Sequence, residues 1–278
     1  MSIFRNVSTT HALPYADHVR LVSSDQPFRW LRLGWQDFVA APMVSVCYGL
    51  LFVIIGLALT VGLWRVRATY LILPLASGLM LIGPGLTLGF QAISRDLERN
   101  EHPSFVRALL AWRANPASIF NFGMACTCYF LLWIWLAQLV FDHSFPPATE
   151  MDPQRVLNAI LFTGDGLTFL TLFLVLGAVM ATLAFAAGAF AIPMLLDCKV
   201  DIIEAMGTSV TAVILNLPTM IVWAAVLVVL TAAGMALFYV GLVVTLPLAG
   251  YATWHAYRAV IISEKTGSSD ETERARAH

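Results

Sequence analysis

The chain has 278 residues, of which 59% are hydrophobic and only 12% are charged, whereas about a quarter of the residues in soluble domains are charged. This composition excludes most soluble folds and indicates a membrane protein. The 16 Lys and Arg residues nearly balance the 17 Asp and Glu residues, so there is no excess of positive charge for binding nucleic acid.

Six segments are apolar enough to cross a bilayer, which takes about 20 residues of helix. The predicted spans are Met43–Leu63, Ala68–Ser94, Ala117–Phe141, Gly166–Leu196, Thr208–Thr231 and Met235–Tyr257. The last two come from one uncharged stretch, Ala205–Trp254, which as a single helix would be ~75 Å long. It must fold back, and Ala232-Ala233-Gly234 is the predicted reversal.

These spans predict an all-α, polytopic membrane bundle over residues 27–263. We expect an N-terminal cytoplasmic segment, 1–26, before the bundle and a disordered cytoplasmic tail, 264–278, after it. With the N-terminus inside, only Arg65, Arg67 and Arg155 of the 16 basic residues lie outside. The excess of Lys and Arg in inner loops therefore predicts a bacterial cytoplasmic (inner) membrane protein with both termini in the cytoplasm.

A short amphipathic segment precedes each odd-numbered span. The apolar positions are Phe28, Leu31, Trp35 and Phe38 in the first segment, Phe105, Ala108, Leu109 and Trp112 in the second, and Val200, Ile203 and Met206 or Val210 in the third. Their helical spacing is typical of helices that lie on the membrane surface. The segments run into Pro42, Asn115-Pro116 and Asn216-Leu217-Pro218, and we interpret each proline as a marker of membrane entry.

An interfacial helix followed by two spans is thus a candidate repeat unit. Because each unit crosses the membrane an even number of times, three units would share one orientation and form a parallel repeat about a pseudo-threefold axis. Chance similarity between apolar segments with interfacial Trp and Pro is the alternative, and the unequal spacings between the prolines favour it.

Three charged residues occupy equivalent positions in this repeat. Arg95 follows the second span, Asp197 the fourth and Arg258 the sixth. They are candidates for a structural cluster in which opposite charges hold three helix ends together. The alternative is that each residue only anchors its own helix end at the interface.

Two sites are candidate helix breaks. Gly83-Pro84-Gly85 removes an amide donor and two side chains from the second span, and Asn216 and Pro218 flank Leu217 near the fifth. Broken helices line solute sites in transporters. A kink that permits close helix packing is the alternative.

The sequence carries no catalytic motif. Phosphate-binding loops, zinc-protease helices, serine-hydrolase elbows and haem attachment motifs are absent. His255 is the only histidine near a span, which excludes the paired histidines of a haem–copper oxidase core. A serine paired with His255 is conceivable, but nothing in the sequence orients it. We therefore expect no enzyme activity, cofactor or metal.

Several stretches carry a family resemblance. They are 81–86, 90–99, 192–202, Thr208-Ser209-Val210 and Asn216, together with Trp35-Gln36-Asp37-Phe38 and Pro42. Over roughly Pro27–Ser263 the chain resembles the bacterial integral membrane family catalogued as domain of unknown function 2189. Members are sometimes labelled cytochrome c oxidases, and the resemblance implies at most an accessory role beside a respiratory complex.

Two functions are consistent with these features of the sequence. The first is a non-enzymatic accessory or assembly component that binds a membrane partner such as a respiratory oxidase. The alternative is a small-solute transporter or channel built from repeated helix pairs. The lipid bilayer is the expected surrounding in both cases.

Overall fold

The computed structural model describes residues 13–66, 68, 71–72, 74–75, 78, 83–145, 153–236 and 239–262. Regular structure in these residues is helical apart from one antiparallel bridge between Val19 and Ile261, which confirms the all-α class. The predicted tail, 264–278, and parts of the second predicted span, Ala68–Ser94, lie outside the described residues.

The α-helices follow one another in this order: α1 (Gln26–Ala40), α2 (Pro42–Arg65), α3 (Gly83–Leu86), α4 (Leu88–Glu98), α5 (Phe105–Leu109), α6 (Pro116–Ser144), α7 (Pro153–Phe162), α8 (Gly164–Gly188), α9 (Ala191–Asp197), α10 (Ile202–Leu215), α11 (Leu217–Ala236) and α12 (Leu242–Val260). A 3₁₀ turn, Ala111–Ala114, connects α5 to α6.

Prolines set the boundaries between the short helices and the long ones. Pro42 and Pro116 are the first residues of α2 and α6, and Pro218 is the second residue of α11. Proline fixes φ and lacks the N–H that a first turn leaves unpaired, so it suits the start of a helix. It also disfavours helical backbone in the preceding residue, and Ala41, between α1 and α2, is indeed not helical.

Four helical segments among the described residues are long and apolar enough to cross a membrane. They are Pro42–Arg65, Pro116–Ser144, Gly164–Asp197 and Leu217–Ala236. The first, third and fourth predicted spans therefore coincide with apolar helical segments of membrane-spanning length. The fifth, predicted from Thr208, begins instead at Leu217, because α10 ends at Leu215 and Asn216 interrupts the helix.

The predicted reversal at Ala232-Ala233-Gly234 is wrong, since α11 continues to Ala236. A Cβ added to Gly234 would clash with the hydroxyl of Thr245 and lie 2.6 Å from Cδ2 of Leu242. Gly234 therefore permits close packing of α11 on α12. It does not form the turn that was predicted at this position.

Helix α12 lies at the centre and packs against α1, α2, α4 and α11. Tyr251, Trp254 and Tyr257 are each at most 1% exposed. The sequence of α12 is less apolar than the sequences of the four candidate spans, because it contains Pro247, His255 and Arg258.

Helix α1 packs on α12 through a face that the hydrophobic pattern did not indicate. Trp30 and Gly34 are buried, and a Cβ added to Gly34 would lie 2.8 Å from the backbone nitrogen of Ala252. Phe28 and Trp35, on the predicted apolar face, are 63% and 49% exposed. The predicted face therefore remains available to lipid.

The segment before α1 is held against the bundle. The amide of Arg20 donates to the carbonyl of Val260 (2.7 Å), and the amide of Ile262 donates to the carbonyl of His18 (2.9 Å). The Thr211 hydroxyl donates to the carbonyl of Pro14 (2.8 Å). Both ends of the described chain therefore lie at the same end of the bundle.

Candidate functional site

A group of described ion pairs lies where α4, α9 and α12 end. Asp197 lies at the centre of this region, with a side chain only 9% exposed. Its carboxylate is 3.1 Å from the Arg99 guanidinium and 3.6 Å from that of Arg258, and the Tyr257 hydroxyl donates to it (3.2 Å). We call the end of the bundle that carries Asp197 the charged end.

Of the three predicted cluster residues, the structure brings Asp197 and Arg258 together. Arg95 does not pair with Asp197; its Nη1 donates to the backbone carbonyl of Leu196 (2.8 Å). Arg99, one helical turn later, makes the close ion pair with Asp197. Arg258 also lies 3.0 Å from Glu98, which joins α12 to α4.

Asp37 forms a second polar centre, which was not predicted from the sequence. The Ser94 hydroxyl donates to its carboxylate, and His255 Nε2 lies 2.8 Å from the same oxygen. Because the carboxylate stands between serine and histidine, the histidine is not placed to take a proton from the serine. These contacts instead connect α1, α4 and α12.

A signal for Asp37 was present in the sequence. It is the only acidic residue in α1 and lies seven positions after Trp30, on the face that packs against α12. A search confined to the predicted spans and their ends passes over it, because Asp37 belongs to an interfacial helix.

Arg107 forms ion pairs with two acidic residues. Arg107 lies 3.2 Å from Asp96 and 2.5 Å from Glu101. Burial raises the pKa of the Asp96 carboxyl, and the nearby guanidinium of Arg107 opposes that rise. Burial also lowers the pKa of Arg95, with the positive charge of Arg99 adding to the effect.

The Gly83-Pro84-Gly85 break falls in α3, a helix of only four residues that ends at Leu86. Thr87 then interrupts the helix before α4 begins. A Cβ added to Gly85 would meet no described atom within 4 Å. No described helix therefore packs closely on Gly85.

The break at Asn216 has a clear set of partners. Its side-chain oxygen accepts from the amide of Val22 (2.8 Å), and its side-chain nitrogen donates to the carbonyls of Arg20 (3.0 Å) and Ala212 (3.1 Å). The Thr219 hydroxyl donates to the carbonyl of Val22 (3.1 Å). This break therefore binds the chain's own N-terminal segment. Pro218 is exposed and marks the start of α11.

Both breaks adjoin a cavity of about 440 Å³ among α4, α8, α11 and α12. Leu86 and Thr87 follow the first break and Leu217 follows the second, and all three line the cavity. Most other lining residues are apolar, including Phe185, Gly188, Met220, Trp223, Leu246 and Ala249.

Five polar residues also line the cavity, namely Thr87, Gln91, Thr182, Thr231 and Thr253, and Gln91 carries the carboxamide among them. Its side chain is fully buried, and its Nε2 donates to the Thr87 hydroxyl (2.9 Å). Its Oε1 accepts no hydrogen bond from the described residues. A buried acceptor left unpaired costs about 1–3 kcal/mol. A search of the sequence for charged groups passes over this carboxamide, because it is neutral.

No described group of three or more His, Cys, Asp or Glu side chains could hold a metal ion. Cys126 and Cys128 of α6 are both free thiols in the structure.

Part of the chain matches a known protein family. A family model described as a predicted integral membrane protein (DUF2189) covers residues 71–197. No curated protein and no solved structure matches the chain. The matched region includes Arg95, Asp197 and the α8 wall of the cavity. The resemblance inferred from the sequence is thus confirmed over residues 71–197, and the chain is an integral membrane protein similar to the DUF2189 family.

Proposed function

We propose that this protein is a non-enzymatic membrane transporter or channel whose cavity among α4, α8, α11 and α12 takes a small neutral solute that carries a hydroxyl group. The cavity carries this proposal, together with the Gln91 oxygen to which no described residue donates. Apolar walls exclude ions, which would lose their hydration without compensation. Gln91 is buried in the cavity wall, so in this proposal its carboxamide turns toward the cavity, where a solute hydroxyl donates to Oε1 and supplies the missing partner.

The packing order of the helices supports a threefold repeat around this cavity. Each short amphipathic helix packs on the returning helix of the preceding unit: α5 on α4, α10 on α8 and α9, and α1 on α12. The series closes on itself, as expected of three units arranged around an axis. The returning helices α4, α8 and α12 all contribute to the cavity wall.

Two of the unit junctions also share a hydrogen-bonding pattern. Asn115 and Ser118, around the start of α6, donate to the carbonyl of Val200 (2.8 and 3.0 Å), just before α10. Asn216 and Thr219, around the start of α11, bind the segment just before α1. The same Asn-x-x-Ser/Thr spacing therefore ties each of these junctions to the next unit.

We propose six spans, with the region around Ala68–Ser94 as the second and α12 as the sixth. An even number of spans places both termini on one side, which agrees with the meeting of the two described ends at the charged end. The excess of basic residues near that end supports a cytoplasmic location for both termini, in a bacterial inner membrane.

Solute entry into proteoliposomes tests the transport proposal. Stopped-flow light scattering with glycerol should show faster entry with the wild-type protein than into empty liposomes. Gln91→Leu should slow this entry about tenfold, the equivalent of ~1.4 kcal/mol. Gln138→Leu, which changes a glutamine of α6 outside the cavity, should keep the wild-type rate. A wild-type rate equal to that of empty liposomes would refute transport.

A second candidate is an accessory or assembly role beside a respiratory oxidase. Helix α6 favours it, because Phe120, Leu131 and Trp135 are 67%, 58% and 61% exposed and could contact a membrane partner. Gentle purification from the native membrane tests this candidate. Oxidase subunits recovered in a fixed ratio would support it, whereas recovery of the protein alone would count against it.

A further inference from the structure

A second pocket, of about 330 Å³, lies between α4 and the α5 region. Four arginines and two acidic residues line it: Arg95, Arg99, Arg107, Arg113, Asp96 and Glu101. Its lining carries two more positive charges than negative ones. None of these residues lines the cavity that contains Gln91, so the pocket is independent of the proposed transport function.

The two acidic residues offset two of the four positive charges, and Arg99 pairs with Asp197 outside the lining at 3.1 Å. Both Asp96 and Glu101 pair with Arg107, at 3.2 and 2.5 Å. Arg95 is 4.0 Å from Asp96, and its Nε is buried with no hydrogen-bond partner among the described residues. Arg113 forms no ion pair with any described residue.

We infer that this pocket binds a phosphate group, with Arg113 and Arg95 as its principal ligands. Guanidinium groups present paired N–H donors that match two phosphate oxygens, and they keep their charge at neutral pH. A bound phosphate would neutralise the excess charge and accept hydrogen bonds from the guanidinium of Arg113, which has no described ion pair.

The surroundings place this phosphate site at the membrane surface. Val106, Leu109 and Trp112 flank the pocket in sequence and are 62%, 42% and 45% exposed. The Arg113 guanidinium lies 5.6 Å from the centre of the Trp112 ring. Exposed apolar and Trp side chains beside clustered arginines are typical of the lipid headgroup region. The phosphate could therefore belong to a lipid headgroup or to a soluble compound.

Thermal unfolding of the full chain in detergent, followed by tryptophan fluorescence, tests the phosphate site. Inorganic phosphate and dioctanoyl phosphatidylglycerol are titrated at constant ionic strength, with chloride and dioctanoyl phosphatidylcholine as references. Phosphate should raise Tm more than chloride does. If dioctanoyl phosphatidylglycerol raises Tm at a lower concentration than inorganic phosphate does, the ligand is a lipid headgroup. If the two compounds raise Tm at equal concentrations, the ligand is a soluble phosphate compound.

Arg113→Gln should weaken the phosphate response about tenfold, or ~1.4 kcal/mol. Arg32→Gln removes an exposed arginine of α1 that has no described ion pair and should leave the response unchanged. Ala114→Glu, which puts a carboxylate at the pocket wall, should abolish it. Equal responses to phosphate and chloride in the wild type, or equal responses in R113Q and R32Q, would overturn the inference.

Discussion

Replacing Asn216 with alanine should release the N-terminal segment from the bundle. The substitution removes two long-range hydrogen bonds, from the Val22 amide (2.8 Å) and to the Arg20 carbonyl (3.0 Å). At about 1 kcal/mol for each bond, the attachment should weaken by about 2 kcal/mol. That energy corresponds to a roughly 30-fold larger population of the detached segment.

Trypsin gives a direct measurement, because the Arg20 side chain is exposed and its peptide bond becomes accessible only when the segment detaches. Where opening is fast compared with cleavage, the cleavage rate follows the open population. Asn216→Ala should therefore be cut after Arg20 about 30 times faster than wild type. Asn121→Ala, at an exposed position of α6, is the matched control. Equal rates in N216A and N121A would refute the assigned role of Asn216.

Three further predictions concern stability in detergent. Asp197→Ala should lower the free energy of unfolding by about 1–2 kcal/mol, because two arginines and a tyrosine lose a largely buried partner. Gly250→Ala should cost about 1–3 kcal/mol, since the added Cβ would lie 2.5 Å from a phenylalanine Cβ. Burial raises the pKa of Asp96, so the folded state binds its proton more tightly than the unfolded state does. The stability of wild type relative to Asp96→Asn should therefore fall as pH rises from about 4 through the raised pKa.

Matched variants separate these effects from general damage. Asp165→Ala removes an exposed carboxylate of α8 that has no described ion pair, and an effect equal to that of D197A would contradict the role given to Asp197. Gly123→Ala adds a Cβ that meets no described atom within 4 Å and should be neutral or stabilising. Destabilisation by G123A equal to that by G250A would refute the packing argument. A pH-independent difference between D96N and wild type would refute the Asp96 prediction.

The long apolar helices were predictable from the sequence because the bilayer imposes a length and a polarity on each crossing. Prolines predicted where α2 and α6 begin, because their effect on the backbone is local. The start of α11 could not be predicted in the same way. Nothing in the apolar run 205–254 indicates that the Asn216 side chain binds the backbone of residues 20–22.

The polar sites show the limit of prediction more clearly. Asp37, Ser94 and His255 come from three different helices. Sequence spacing says nothing about such a meeting, because it depends on the order in which the helices pack. The same reason explains why Arg99 makes the close ion pair with Asp197 that was expected of Arg95. One helical turn separates the two arginines, and only the placement of α4 against α9 selects between them.

The sequence alone determined that this chain is an all-helical membrane protein, and it located the segments in which charge is scarce. Both follow from neighbouring residues, because hydrophobicity and helix period are local properties of the chain. Tertiary structure alone decided which polar groups meet, which helix is central and which side chains surround the cavity. Gln91 is an ordinary amide in the sequence. It becomes a candidate binding group only because four helices enclose it and leave its oxygen unpaired by any described residue.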